Sequence, residues 1–251
     1  MKTGIKCLQK MFFLLVMGFS ICAVQACSDD DPVDEGQGGG AVASGKKIAK
    51  IVVDSEWGKY TDTFSYDDKG RLVKVISTSE YEDSEPSTYT IEYIWGDDII
   101  RQIGDNSGTY ILEDGLIQEG HCFYDFDFTY NKSNKFVELT YYRTYTAIWD
   151  GNKLMSISSE KSDNRFMYEG KTCKGYLPPC TAMFHMDTDG ESLFTAHPEI
   201  AGMLTNQLPS ARICDGEKTT YTYEFDKNGY VSKIVEKGDD NEIKTIYLTW
   251  R

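Results

Sequence analysis

Few side chains in this chain are spaced for chemistry. There are three histidines, His121, His185 and His197. His185 lies near Asp187, Asp189 and Glu191, yet no two histidines stand at the i, i+4 helical spacing that converges on zinc. Asp187-Thr188-Asp189-Gly190-Glu191 matches a calcium loop only in part, because it lacks a third spaced acid and its glycine comes two positions early. No Gly-x-Ser-x-Gly elbow and no phosphate-cradling glycine loop occur. With 40 acidic residues, two carboxylates set for glycoside hydrolysis arise easily by coincidence. These residues therefore predict a protein that is not an enzyme, with no metal and no cofactor. His197 precedes Pro198, which suits a helix entry, so its expected role is structural.

The cysteines are more informative. Lys2, Lys6 and Lys10 precede the apolar run Met11–Val24, which is too short for a comfortable membrane span and reads as a secretory signal. The run closes on Val24-Gln25-Ala26-Cys27, which resembles a bacterial lipobox. That resemblance implies cleavage before Cys27 and acylation of its sulfur, so that the partner is a membrane, held through lipid. Ser28, Asp29, Asp30 and Asp31 resemble the export signal of surface-exposed lipoproteins in Bacteroides-type Gram-negative bacteria, which implies an outer-membrane protein facing the exterior. The expected organisation is a signal peptide over 1–26, an acidic, glycine-rich linker over 27–46 and one domain over 47–251. Residues 1–26 carry three lysines and no acid, so cleavage takes the net charge from −14 to −17. Such acidity repels phosphate backbones and excludes nucleic acid as a partner. Four further cysteines, Cys122, Cys173, Cys180 and Cys214, are candidates for disulfides in an oxidising compartment. Cys180 with Cys214 and Cys173 with Cys180 are competing pairs, and four buried thiols are the alternative.

Turn signals organise the domain. Markers at Gly70, Gly96, Gly115, Asn134, Gly151 and Gly170 stand 26, 19, 19, 17 and 19 residues apart, and Asp226-Lys227-Asn228-Gly229 repeats the chemistry of Asp67-Asp68-Lys69-Gly70. Two strands with a tight turn fill such an interval. The flanks share a shape of aromatic, Asp, turn, Gly and aliphatic, as in Tyr66–Leu72, Trp149–Leu154 and Phe225–Val231. Tyr124, Phe126, Phe128 and Tyr130 share one strand face, as do Tyr89, Ile91, Tyr93 and Trp95, and Tyr221, Tyr223 and Phe225. Period two with one polar face means half-buried antiparallel sheet. The fold class is all-β, an up-and-down meander of about 12–14 strands curled into a barrel-like roll.

Leu177–Ile213 breaks the alternation. It opens on Pro178-Pro179, has helix-compatible spacing at 191–194 and 198–204, and carries Leu193, Phe194, Ile200, Met203, Leu204 and Leu208. It reads as an insert that plugs the roll, with helix mainly within 190–208. The run Ala196-His197-Pro198-Glu199-Ile200-Ala201-Gly202 with Asn206-Gln207-Leu208-Pro209-Ser210 resembles a family of Bacteroides-type lipoproteins of unknown function described as having a porin-like fold. The hairpins at Tyr66–Leu72 and Phe225–Val231 also look like tyrosine–aspartate repeats. The resemblance implies a fold and an address, and no activity. Lys74, Glu92, Arg101, Glu138 and Lys233 interrupt any lipid-facing belt, so porin-like describes shape. The expected function is a non-enzymatic binding or interaction module with an unknown protein or glycan ligand. The alternative is a glycan-binding or glycan-processing lipoprotein, since sheet-borne Tyr and Trp can stack on sugars.

Overall fold

The structure is a computed structural model and describes residues 46–81, 84–104, 107–122, 125–174, 188–205, 207–240 and 242–251. The signal peptide, Cys27, Ser28–Asp31, nearly all of the linker, His185 and Cys180 lie outside these residues. Sixteen strands follow in chain order: β1 (Ile48–Ser55), β2 (Gly58–Tyr66), β3 (Leu72–Glu80), β4 (Ser87–Trp95), β5 (Ile99–Gly104), β6 (Gly108–Glu113), β7 (Leu116–His121) and β8 (Asp125–Tyr130), then β9 (Phe136–Thr140), β10 (Thr144–Asp150), β11 (Lys153–Ser159), β12 (Ser162–Thr172), β13 (Gln207–Cys214), β14 (Glu217–Phe225), β15 (Val231–Lys237) and β16 (Ile243–Trp250). Among the described residues one helix, α1 (Thr188–Ala196), lies between β12 and β13. Each strand pairs antiparallel with its sequence neighbours, and β1 pairs with β16 to close a barrel. An isolated parallel bridge, Lys174 to Tyr230, lies outside the strands.

The alternation read from sequence is the wall's inside and outside. In β4, Ile91 and Tyr93 are buried while Glu92 and Ile94 are exposed, and in β8 Phe126 and Phe128 are buried while Asp125, Asp127 and Thr129 face out. The hairpin turns work as their chemistry predicts. Asp67 Oδ1 accepts from the Lys69 and Arg71 amides at 3.0 and 2.9 Å, and Asp226 Oδ1 accepts from the Asn228 and Tyr230 amides at 2.8 and 2.9 Å. The carboxylate thus replaces water on amides that the turn strips of ladder partners.

The aromatic that precedes each turn has a second task. Seven rings, in the second halves of even-numbered strands, donate to a carbonyl near the start of the preceding odd strand. Tyr66 reaches Ile48 O at 2.9 Å, Trp95 reaches Leu72 O at 2.7 Å, Trp149 reaches Phe136 O at 2.8 Å and Tyr168 reaches Leu154 O at 2.8 Å. Tyr223 reaches Pro209 O and Trp250 reaches Val231 O, both at 2.7 Å, and Tyr130 reaches Ile117 O. The remaining even strand, β6, ends in Leu112 and Glu113. The repeat therefore encodes a girdle that ties neighbouring hairpins together at one rim, with an apolar ring inside and its polar tip satisfied.

Three expectations need correction. The strands number sixteen, above the 12–14 read from sequence, and the insert is shorter than Leu177–Ile213 because Gln207–Cys214 forms β13. Pro209 hid that strand, since proline lacks the ladder donor. It is tolerated here because it faces Tyr168 at an irregularity in the β12–β13 register. Phe225 does not share the buried face of Tyr221 and Tyr223. A register shift between Glu224 and Phe225 turns it outward, and it is 42% exposed.

Sixteen strands enclose more space than their own side chains normally fill, and barrels of this size usually hold a channel. Here the centre is occupied by large wall residues and by the insert. Tyr110, Phe136, Ile51, Leu72, Ile91, Leu154, Leu193 and Met203 are all essentially inaccessible to solvent.

Candidate functional site

The described part of the insert, residues 188–205, packs at the girdled rim, where the starts of β3, β7 and β9 bond to it. Phe194 of α1 meets Phe126, Phe128 and Tyr110 edge-on, with ring centroids 6.2, 5.8 and 6.2 Å apart. Barrel amides at strand starts bond to the segment after the helix: Ile117 N to Ile200 O at 2.8 Å and Phe136 N to Gly202 O at 3.3 Å. Lys135 donates its ammonium to Leu204 O and lies 5.0 Å from the Trp149 ring, and burial pulls its pKa down to about 8.

His197 is the keystone of this rim. Its Nε2 accepts the Leu72 amide at 3.0 Å, so the proton sits on Nδ1 and is donated to Glu199 Oε1 at 2.7 Å. The ring packs edge-on against Trp95 at 5.1 Å and Tyr66 at 6.3 Å. Glu199 in turn lies 3.9 Å from Lys47 Nζ, beside the start of β1. Burial alone would raise the Glu199 carboxyl, but the His197 ring and the Lys47 charge hold it below the usual range. Every polar atom of the imidazole is spent on structure, which fits the packing role expected from its place before Pro198.

At the far rim the interior turns polar. Asp62 of β2 and Ser77 of β3 hydrogen-bond across the sheet, and Tyr60 and Tyr89 hydroxyls meet at 2.7 Å beside them. Burial pushes Asp62 up to about 6, against the hydrogen bonds of Ser77 and Tyr60 that lower it. Gln102 accepts from Tyr110 at 2.6 Å, and Glu236 pairs with Lys244 across β15 and β16. Asp62 was missed in the sequence although a signal existed. It stands in phase with Tyr60, Phe64 and Tyr66, where period two demands an inward side chain.

A third feature lies on the outer wall at the same end. The β9–β10 loop and the β11–β12 turn flank a hollow of about 400 Å³ lined by Tyr142, Arg143, Thr144, Thr146, Ser158 and Glu160, among others. Exposed polar residues carry no periodic signal, so no sequence pattern marks it. The remaining candidate residues are scattered. His121 is on the outer face of β7, 2.9 Å from Asp125 and 3.6 Å from Glu119, and the hydrogen bond to Asp125 raises its pKa. Among the described residues no group of three His, Cys, Asp or Glu side chains is placed to hold a metal ion. Cys173 and Cys214 are buried and Cys122 is half-buried, while the pairings through Cys180 fall outside the described residues.

No family model matches the chain, and no curated protein matches it. Among solved structures it is similar to a porin-like protein from Bacteroides uniformis, at 17% identity and a TM-score of 0.64 over 81% of this chain and 98% of that one. A porin-like protein from Bacteroides vulgatus aligns at 12% identity and a TM-score of 0.37, over 82% and 99% of the two chains. At the level of fold, the chain is a porin-like β-barrel of the kind found in the Bacteroides uniformis protein.

Proposed function

We propose that this barrel is a lipid-anchored protein of the outer-membrane surface, held out on its 27–46 linker, that works as a non-enzymatic binding module. The observation that carries this reading is the outer wall. Lys74 pairs with Glu92 at 3.0 Å, Lys233 with Glu224 at 2.7 Å and Arg165 with Asp163 at 2.7 Å, while Arg101, Glu119, Asp127 and Glu138 are also exposed on strands. A lysine or arginine on the lipid face of a membrane barrel costs about 2–4 kcal/mol near the midplane. This wall belongs in water, so membrane attachment falls to Cys27. The acidic, glycine-rich composition of 27–46 suits a spacer between a lipid and a barrel.

Plugging fits a binder better than a conduit. The polar groups around His197 are internally satisfied, which leaves the outer wall and the far rim to meet a protein or glycan partner. Cell fractionation tests the anchor: Cys27→Ala should move the protein from membrane to soluble fractions. Alanine at Asp29, Asp30 and Asp31 should keep it membrane-bound but protect it from protease added to whole cells. Membrane retention of Cys27→Ala would overturn the anchor, and unchanged protease sensitivity of the acidic-segment variant would overturn its export role.

A further inference from the structure

The hollow at the far rim has a composition that matches a particular ligand chemistry. Its floor is hydroxyl. Thr146 and Ser158 are a cross-strand pair on the outer face of β10 and β11, and Thr144 stands two residues along the same face. One wall is Tyr142, which is 51% exposed, with the Arg143 guanidinium 4.7 Å from its ring centroid and the Tyr141 ring meeting it edge-on at 4.6 Å. The opposite wall ends in Glu160, which is exposed. Neither Arg143 nor Glu160 joins an ion pair among the described residues.

We infer that this hollow binds a neutral sugar unit of a polysaccharide, which names the ligand for the binding-module reading above and rests on it. A sugar presents a C–H face and a rim of hydroxyls that both donate and accept. Tyr142 offers the apolar contact, Arg143 donates, Glu160 accepts, and the Thr and Ser hydroxyls do both. One cation against one anion selects against strongly charged ligands. Polar lining selects against lipid. The volume is at the small end of the roughly 300–1,000 Å³ typical of ligand sites, so the hollow takes a short piece of chain.

Affinity electrophoresis of the full chain in native gels containing laminarin, dextran, pullulan or mannan tests this. At least one polymer should retard the protein. Tyr142→Ala and Glu160→Gln should each weaken that retardation at least fivefold, whereas Trp57→Ala, which removes an exposed ring elsewhere, should leave it unchanged. Both substitutions lie at the surface, and an unchanged melting temperature verifies that the barrel is intact. Undiminished retardation of Tyr142→Ala and Glu160→Gln would overturn the hollow while leaving a binding module. No retardation in any of the four gels would overturn the sugar assignment, and the fractionation of Cys27→Ala would still decide the anchor separately. Release of reducing ends by the wild-type chain would leave the hollow standing and overturn the non-enzymatic reading.

Discussion

Asp62 is a carboxyl whose burial works against the fold at neutral pH. Its pKa is raised from 3.8 to about 6 by desolvation. Below about pH 4 the group is protonated in both folded and unfolded chains and contributes nothing. Between about pH 4 and 6 the folded chain keeps a proton that the unfolded chain has shed, so stability falls as pH rises. Above that window the full cost, up to about 3 kcal/mol, applies. Asp62→Asn keeps the acceptor for Ser77 and removes the charge. It should raise the denaturation midpoint at pH 7 and match wild type at pH 3.5, as urea unfolding at the two values would measure. His197→Ala runs the other way, leaving the buried Leu72 amide without its acceptor and removing one donor to Glu199, for a loss of about 1–3 kcal/mol in the same assay. Gly202 makes a third test, since its φ is 63° and a Cβ there would stand 2.7 Å from both Asn134 O and Phe136 N. Gly151 has a φ of 55° with open space around it. Gly202→Ala should therefore destabilise clearly more than Gly151→Ala, because only the first adds a clash with the barrel wall to the cost of positive φ.

At the scale of elements, the strands were legible because alternation is local. Tyr89–Trp95 and Phe126–Tyr130 declare their buried face within a few residues. The turns were legible for the same reason, as Asp67 and Asp226 bond within four positions of themselves. The girdle was not, because each of its bonds links the aromatic near the end of one strand to a carbonyl near the start of the strand before it, and a single copy of the repeat does not contain both. Tyr66→Phe tests it: the ring stays, the hydrogen bond to Ile48 O goes, and about 1 kcal/mol of stability should go with it. A loss no greater than that from an exposed substitution such as Ile148→Val would mean that the ring acts through packing alone. The strand β13 escaped because Pro209 breaks the expected donor pattern. The insert was legible as a plug from its apolar content. Phe194→Ala should cost about 3–5 kcal/mol, since its ring touches three aromatic residues of the barrel wall.

For the whole molecule the decisive question is which solvent each surface meets. Closure of the barrel could not be read from the sequence, because it rests on β1 pairing with β16, with Ile48 opposite Trp250 at the two ends of the domain. Once closure is given, a sixteen-strand wall invites the idea of a pore. Two features oppose it. The interior is occupied by large side chains and by the insert, with Leu193, Ala201, Met203 and Leu208 essentially inaccessible. The exterior mixes Ile94, Ile103 and Ile148 with Arg101, Glu92, Lys74 and Glu138, so the described residues form no continuous apolar belt. Several exposed lysines and arginines at about 2–4 kcal/mol each would exceed what scattered isoleucines return on transfer to lipid. The Cys27→Ala chain, which lacks the proposed acylation site, should therefore stay in the aqueous phase of a Triton X-114 separation and produce no conductance steps when added to a planar lipid bilayer. The wild-type chain should partition into detergent through the proposed lipid yet remain electrically silent. Stepwise conductance from either form would show that the barrel inserts and that the plug leaves its mouth, and the outer wall would then have to be reinterpreted as a membrane face.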